Sequence, residues 1–301
     1  MLRIIFTFVC FWCVHLFCPG TNAQNSAANT TALLQRIQDD VTHGKPLVVT
    51  VYVALCDNDS QGIIPVKNRA ICNGDDPLKN IYWKGNGIAG YLKAHQWHKV
   101  QSRQDVSNTV VIEEVWSKTQ FASTALQKMG FPRQFSVSII AKAYRGNRIG
   151  DAMKDYLDAV NNDSPQTIAL SDGRLLQGGG QSHLVGYIGH NYMMDVSEGT
   201  STWWMLKHTW SKGTSTTPKG TFALACESNA YIRPFVSRQN IYILMMNKFL
   251  TYPSAWTVGG IIDGLATGGD GNSIFKHGVR QFAKGQQCGL CWAKKAFSFG
   301  P

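Results

Sequence analysis

The chain has 301 residues, with 29 Lys and Arg against 19 Asp and Glu and a formal net charge of +10. A hydrophobic fraction of 44% beside a charged fraction of 16% excludes a disordered polyelectrolyte, and the length suits one large domain. The basic excess suggests acidic partners such as an anionic surface, but no nucleic-acid-binding motif accompanies it.

Arg3 is the only Lys, Arg, Asp or Glu before Arg36, and residues 4–17 between them are apolar except for Thr7 and His15. Thr21-Asn22-Ala23 then offers small or polar residues for cleavage. This pattern predicts a secretory signal peptide over residues 1–23, with an apolar stretch too short to span a bilayer. No later segment is long and apolar enough to be a transmembrane segment, so the expected location is secreted or periplasmic. Residues 24–45 read as a polar N-terminal segment with a short amphipathic stretch at 33–41. Residues 46–301 read as a single α/β domain ending in helices.

The first strong strand is predicted at 47–55, uncharged, β-branched and therefore central. A loop rich in Asp, Asn and Gly follows, then a helix over 88–96 and strands at 109–116 and 135–144. Apolar residues at helical spacing predict a helix over 149–160. Two apolar runs come next, at 183–189 and 221–225, and a further strand at 241–246. Pro253 opens a predicted helix through 265, and Gly268-Gly-Asp-Gly-Asn272 separates it from a last basic helix to about residue 287. Strands alternating with helices predict a three-layer α/β domain with a mostly parallel sheet.

Cys10, Cys13 and Cys18 fall in the signal peptide, which leaves Cys56, Cys72, Cys226, Cys288 and Cys291. An odd number in an oxidising compartment leaves one thiol unpaired unless chains cross-link. The natural pairing is Cys56 with Cys72 and Cys288 with Cys291, with Cys226 free. Cys288-Gly-Leu-Cys291 also has the spacing of a redox motif, but without the flanking strand and long helix a local disulfide fits better.

The two apolar runs end on His190 and Cys226. Ligands of open α/β sheets bind outside the carboxyl ends of the strands. A His and a thiol that meet there are the minimum apparatus for thiolate catalysis. The blocks Val185-Gly-Tyr-Ile-Gly-His190-Asn191 and Phe222-Ala-Leu-Ala225-Cys226 resemble the caspase-like superfamily of cysteine peptidases, which includes caspases, legumains, gingipains and clostripain. That resemblance implies a caspase-like fold, His190 as general base and Cys226 as nucleophile. It also implies the backbone N–H groups of Asn191 and Cys226 as oxyanion donors, a peptide or protein substrate, and no cofactor. The residue after His190 is Asn where the family has Gly. The chain is also similar to uncharacterised secreted bacterial proteins around Ala54-Leu-Cys-Asp57 and the strand before Cys226. The alternative reading is a catalytically inactive binding protein on the same fold.

Asp57 and Asp59 follow the first strand on the same rim and are the candidate substrate-binding carboxylates, able to select a basic side chain; the alternative reading is a solvated loop. The run from Asp57 half resembles a calcium loop, but its twelfth position is Asn68 rather than Glu, so no metal site is expected. His183 lies at the other end of its strand and is read as structural. His208, Trp203 and Trp204 fall in the connection between the His and Cys strands; they are candidates to cover the site, and the two tryptophans equally to pack against the sheet edge.

Overall fold

A computed structural model describes residues 30–61, 68, 70–196, 201, 203, 208, 213–237, 239–252 and 254–300. The expected signal peptide, Trp204 and Pro253 lie outside the described residues. Ten strands are described: β1 (Leu47–Ala54), β2 (His98–Gln104), β3 (Val110–Phe121), β4 (Gln134–Tyr144), β5 (Pro165–Ala169), β6 (Leu175–Gly179), β7 (Leu184–Gly189), β8 (Lys219–Leu224), β9 (Ile241–Asn247) and β10 (Phe297–Ser298). Eight of them form one mixed sheet in the order β10-β9-β8-β7-β1-β4-β3-β2, and β5 and β6 form a separate hairpin. The central strands β4, β1, β7, β8 and β9 pair in parallel. The edges β10, β3 and β2 pair antiparallel to their neighbours.

β1 is central because it offers nothing that needs water. All eight of its residues are buried, and side chains alternate between the two faces of a sheet. Leu47, Val49, Val51 and Val53 join one core with Leu33 and Ile37 of the helix Thr31–Thr42, Ile261 of the helix Trp256–Thr267, and Phe282 of the helix Gly271–Gly285. Tyr52 and Ala54 join the opposite core with Met153, Tyr156 and Leu157 of the helix Ile149–Asn161. The β5–β6 hairpin covers the rest of that face, where Ile168 and Leu176 pack on Val48 and Ile140. Helices therefore flank the sheet on both sides, giving three layers. Each fully buried Val, Leu or Ile contributes about 1.5–3 kcal/mol, so these alternating rows carry most of the fold.

The chain moves outward from β1 in both directions, to β4 on one side and to β7, β8 and β9 on the other. Such a reversal opens a crevice at the carboxyl ends of the two strands that flank it, here β1 and β7. The opposite end of the sheet is closed by structural polar contacts. Arg36 donates to the carbonyls of Gln181 at 2.6 Å, Ser182 at 3.0 Å and Pro218 at 2.9 Å. Lys219 is fully buried and donates to the carbonyls of Gly180 at 2.6 Å, Asn162 at 2.7 Å and Ala159 at 3.1 Å, and to Asp163 Oδ1 at 3.1 Å.

His183 is structural, as its place at the start of β7 implies. Its Nδ1 accepts from the Val48 N–H at 3.0 Å, and its Nε2 lies 3.1 Å from Asp40 Oδ2. Burial lowers the imidazole pKa and so favours the neutral ring, while the hydrogen bond from His183 lowers the Asp40 carboxyl. The unfolded chain takes up a proton on His183 near pH 6.5, where the folded chain resists it. Stability should therefore be full above pH 6.5 and decline as the pH falls below it, with a further loss below about pH 3.9 as Asp40 is protonated. Urea unfolding midpoints across this range should show the first decline in the parent and a flatter profile in His183→Gln.

Several elements differ from the sequence expectation. β2 has the sequence HKVQSRQ and no fully buried residue, so it carries no apolar alternation to reveal it. The amphipathic stretch expected at 33–41, by contrast, is found within the helix Thr31–Thr42, whose Leu33, Leu34, Ile37 and Val41 are buried. The helix expected from Pro253 begins at Trp256, and the N–H of its N-cap, Ala255, is met by the Asn86 carbonyl at 2.9 Å. Cys56 and Cys72 form the expected disulfide, with Cα atoms 5.2 Å apart. The expected Cys288–Cys291 disulfide is absent, since Cys288 is a free thiol. Cys291 is itself disulfide-bonded, but not to Cys288, which packs partly buried against the core.

Candidate active site

β7 and β8 run in parallel register to Ile188 opposite Leu224. Two residues further along each strand stand His190 and Cys226, so the pattern of the sequence becomes a juxtaposition at neighbouring strand ends. Gly189 makes the approach possible. Its φ is +140°, and a Cβ there would lie 2.2 Å from the Ala54 carbonyl oxygen. The His190 N–H then bonds to that same carbonyl at 3.3 Å, and the Tyr187 hydroxyl donates to the His190 carbonyl at 2.6 Å. The histidine backbone is thus held from both sides.

Its ring is held as well. His190 Nε2 lies 2.9 Å from Asp195 Oδ2 and 3.2 Å from Oδ1. A carboxylate only accepts, so Nε2 carries the proton and Nδ1 of the neutral ring is an acceptor. Nδ1 has no hydrogen-bond partner among the described residues. Asp195 closes the short helix Tyr192–Asp195, for which Asn191 is the N-cap through Asn191 Oδ1 and the Met193 N–H at 3.1 Å. Asn191, with φ −85°, thus serves as a cap; the left-handed backbone of this turn falls on Gly189.

Cys226 ends β8 in a tight turn closed by the Ser228 N–H on the Ala225 carbonyl at 3.2 Å. Glu227, directly after the thiol, has φ +48°, a left-handed conformation uncommon outside glycine and found preferentially at functional turns. The Asn191 side chain donates to the Cys226 carbonyl at 2.6 Å and ties the two strand ends together. The backbone N–H of Asn191 has no hydrogen-bond partner among the described residues, and that of Cys226 is directed at its own Sγ.

The thiol does not hydrogen-bond to His190. Its Sγ accepts from the Thr251 N–H at 3.4 Å and lies 3.6 Å from the Thr251 carbonyl. Burial pushes the thiol pKa up, the Thr251 N–H opposes this, and the Glu227 charge adds to the rise. This corrects the simplest expectation for a His–Cys site, in which the imidazole depresses the thiol. The resting group is a neutral thiol parked on backbone.

Two further residues complete the crevice. Tyr82 is buried, and its phenol is pushed up chiefly by that burial, with Cys226 and Tyr252 as its neighbouring titratable groups. Asn80 positions it, accepting from the Tyr82 N–H at 3.2 Å and donating to the Cys56 carbonyl at 2.8 Å. Nothing in the local pattern singled out Tyr82 or Asp195. Tyr82 is one of many aromatic residues and lies far from β7 and β8 in sequence. Asp195 could have been found by asking which carboxylate lies one short turn beyond the histidine.

Asp57 and Asp59 stand at the carboxyl end of β1, beside β7. Asp57 is committed to its own turn, with Oδ1 accepting from the Asp59 N–H at 3.1 Å and Oδ2 from Ser60 Oγ at 2.7 Å. Asp59 is exposed. Trp203 is buried, packing edge-on against Phe235 at 5.9 Å, and His208 is exposed. Among the described residues there is no group of three His, Cys, Asp or Glu side chains able to hold a metal ion, and no helix is long and apolar enough to cross a membrane. Compared with known proteins, the chain matches no family model, no curated protein and no solved structure.

Proposed function

We propose that the chain is a secreted cysteine hydrolase acting on peptide bonds, with Cys226 as nucleophile and His190 as general base. The observation that carries this reading is the pairing of strand ends. A histidine already oriented by Asp195 ends the strand next to the one that ends in a thiol. A nucleophile, a base and a third group that orients the base form the recurring apparatus of covalent catalysis. The residue order is the one shared with caspase-like peptidases, and the Cys56–Cys72 disulfide suits an oxidising compartment.

On this reading Cys226 leaves Thr251 and turns towards Nδ1 of His190. Nδ1 takes the thiol proton as Sγ attacks the scissile carbonyl carbon. The Asp195 carboxylate stabilises the imidazolium that forms. The carbonyl oxygen becomes an oxyanion and accepts from the N–H groups of Asn191 and Cys226. The imidazolium then protonates the leaving amine, and water, deprotonated by the same ring, cleaves the thioester. Because the resting thiol is raised, proton transfer accompanies attack and no ion pair stands ready beforehand. The rim carboxylates, Asp59 in particular, favour a basic side chain near the scissile bond.

The test is cleavage of a diverse peptide library, read by mass spectrometry. New termini that vanish in Cys226→Ala support the reading; no cleavage, or cleavage unchanged in that variant, overturns it. One observation favours a second reading, a binding protein on the same scaffold: the thiol is already engaged by Thr251. That reading expects peptides to be retained uncleaved, by the parent and by Cys226→Ala alike.

A further inference from the structure

The C-terminal helices line a half-open cavity of about 420 Å³ away from the Cys226 crevice. Its apolar wall is formed by Phe275, Val279, Leu290 and Phe299, with the Phe275 and Phe299 rings stacked at 4.3 Å. Leu290 is 52% exposed, a large apolar side chain with no cover of its own. Lys276, Arg280 and Lys294 stand around this wall.

The charges are what select an occupant. Residues 271–301 contain Lys276, Arg280, Lys284, Lys294 and Lys295 and not one Asp or Glu. The three cations at the cavity form no ion pair among the described residues. Lys284 is different, since its ammonium sits over the Trp256 ring at 5.1 Å. The cavity therefore combines an apolar wall with three uncompensated positive charges. Lys276 and Arg280 are four residues apart, on one face of their helix, and Lys294 comes from a second helix. A concave, mostly apolar site with a few convergent polar groups is the ordinary form of a small-molecule pocket, and this volume lies within the usual range.

We propose that this cavity binds a single-chain anionic amphiphile. Its apolar body lies against Phe275, Val279, Leu290 and Phe299, and its anionic head is met by Lys276, Arg280 and Lys294. The site is independent of the chemistry at Cys226. A flat membrane surface would not enter such a concavity, and a protein partner would need an interface several times larger.

Calorimetric titration of the purified chain with monomeric dodecanoate tests it. One dodecanoate should bind per chain, and dodecyltrimethylammonium, with the same tail and the opposite head, should bind about tenfold more weakly or worse. Lys276→Glu with Arg280→Glu should weaken dodecanoate about tenfold, while Lys284→Glu should change it little. Leu290→Asp, at an exposed position that leaves the fold intact, should weaken it by a similar factor. Equal affinity for both heads, insensitivity to the double charge reversal, or binding only to phosphatidylglycerol vesicles would each overturn the proposal.

Discussion

His190→Gln should cleave peptides about a thousandfold more slowly than the parent, because general-base catalysis contributes roughly that much. The loss should fall on kcat more than on KM, since the ring acts on the thiol proton and not on substrate binding. The pH profile separates this role from a structural one. Burial raises the Cys226 thiol, so without a base the reactive thiolate is scarce at neutral pH and grows as the pH approaches the raised value. Residual activity of His190→Gln should therefore climb about tenfold per pH unit through the neutral and mildly alkaline range, whereas the parent, with its base in place, should depend on pH much less steeply there. Asp195→Asn should give a smaller loss of the same kind, because it removes the charge that stabilises the imidazolium but can still hold the ring. A His190→Gln profile parallel to the parent's would remove the histidine from the mechanism.

Lys219→Met should destabilise the fold by about 3–5 kcal/mol, the range for breaking a buried charged network on one side. Lys219 is fully buried at the start of β8 and satisfies three carbonyls together with Asp163. Two of those carbonyls, Ala159 and Asn162, belong to the end of the helix Ile149–Asn161, where C-terminal carbonyls lack partners within the helix. Methionine fills the space but leaves these acceptors unmet. Lys154→Met, which removes an exposed pair with Asp158, should cost well under about 1 kcal/mol. Urea unfolding of the two variants checks the contrast, and a Lys219 loss no larger than the Lys154 loss would contradict it.

The parts of this structure that were legible in the sequence are those governed by apolar pattern. β1, β7, β8 and β9 are buried throughout or nearly so, and a buried parallel strand shows itself as an apolar run. His190 and Cys226 were visible because each interrupts such a run at its carboxyl end. β2 was invisible because an edge strand with one neighbour needs no apolar face. The β5–β6 hairpin was lost for a related reason, since it packs on the sheet through only a few residues such as Ile168 and Leu176.

The rest of the site depended on contacts between distant segments. Tyr82 approaches Cys226 only because Asn80 binds the chain end of β1, and Asp195 meets His190 only because Asn191 starts a turn of helix. The Cys288–Cys291 pairing rested on spacing alone. Spacing does not reveal that Cys288 stays a free thiol while Cys291 is bonded to another cysteine. The raised thiol of Cys226 is a burial effect, which neighbouring residue types do not disclose.

The central claim is that His190 activates Cys226 during attack on a carbonyl, and a peptidyl electrophile tests it most directly. The chain would be treated with a peptidyl acyloxymethyl ketone and, separately, with iodoacetamide, and modification of Cys226 followed by mass spectrometry. A substrate-like electrophile recruits the base, so the ketone should label Cys226 once per chain, at a rate that falls at least about a hundredfold in His190→Gln. Iodoacetamide, which needs free thiolate, should be slow in both proteins at neutral pH and accelerate together with rising pH. If the ketone leaves Cys226 unlabelled in the folded parent, or labels it equally fast without His190, Cys226 is not the nucleophile of a His-assisted hydrolase.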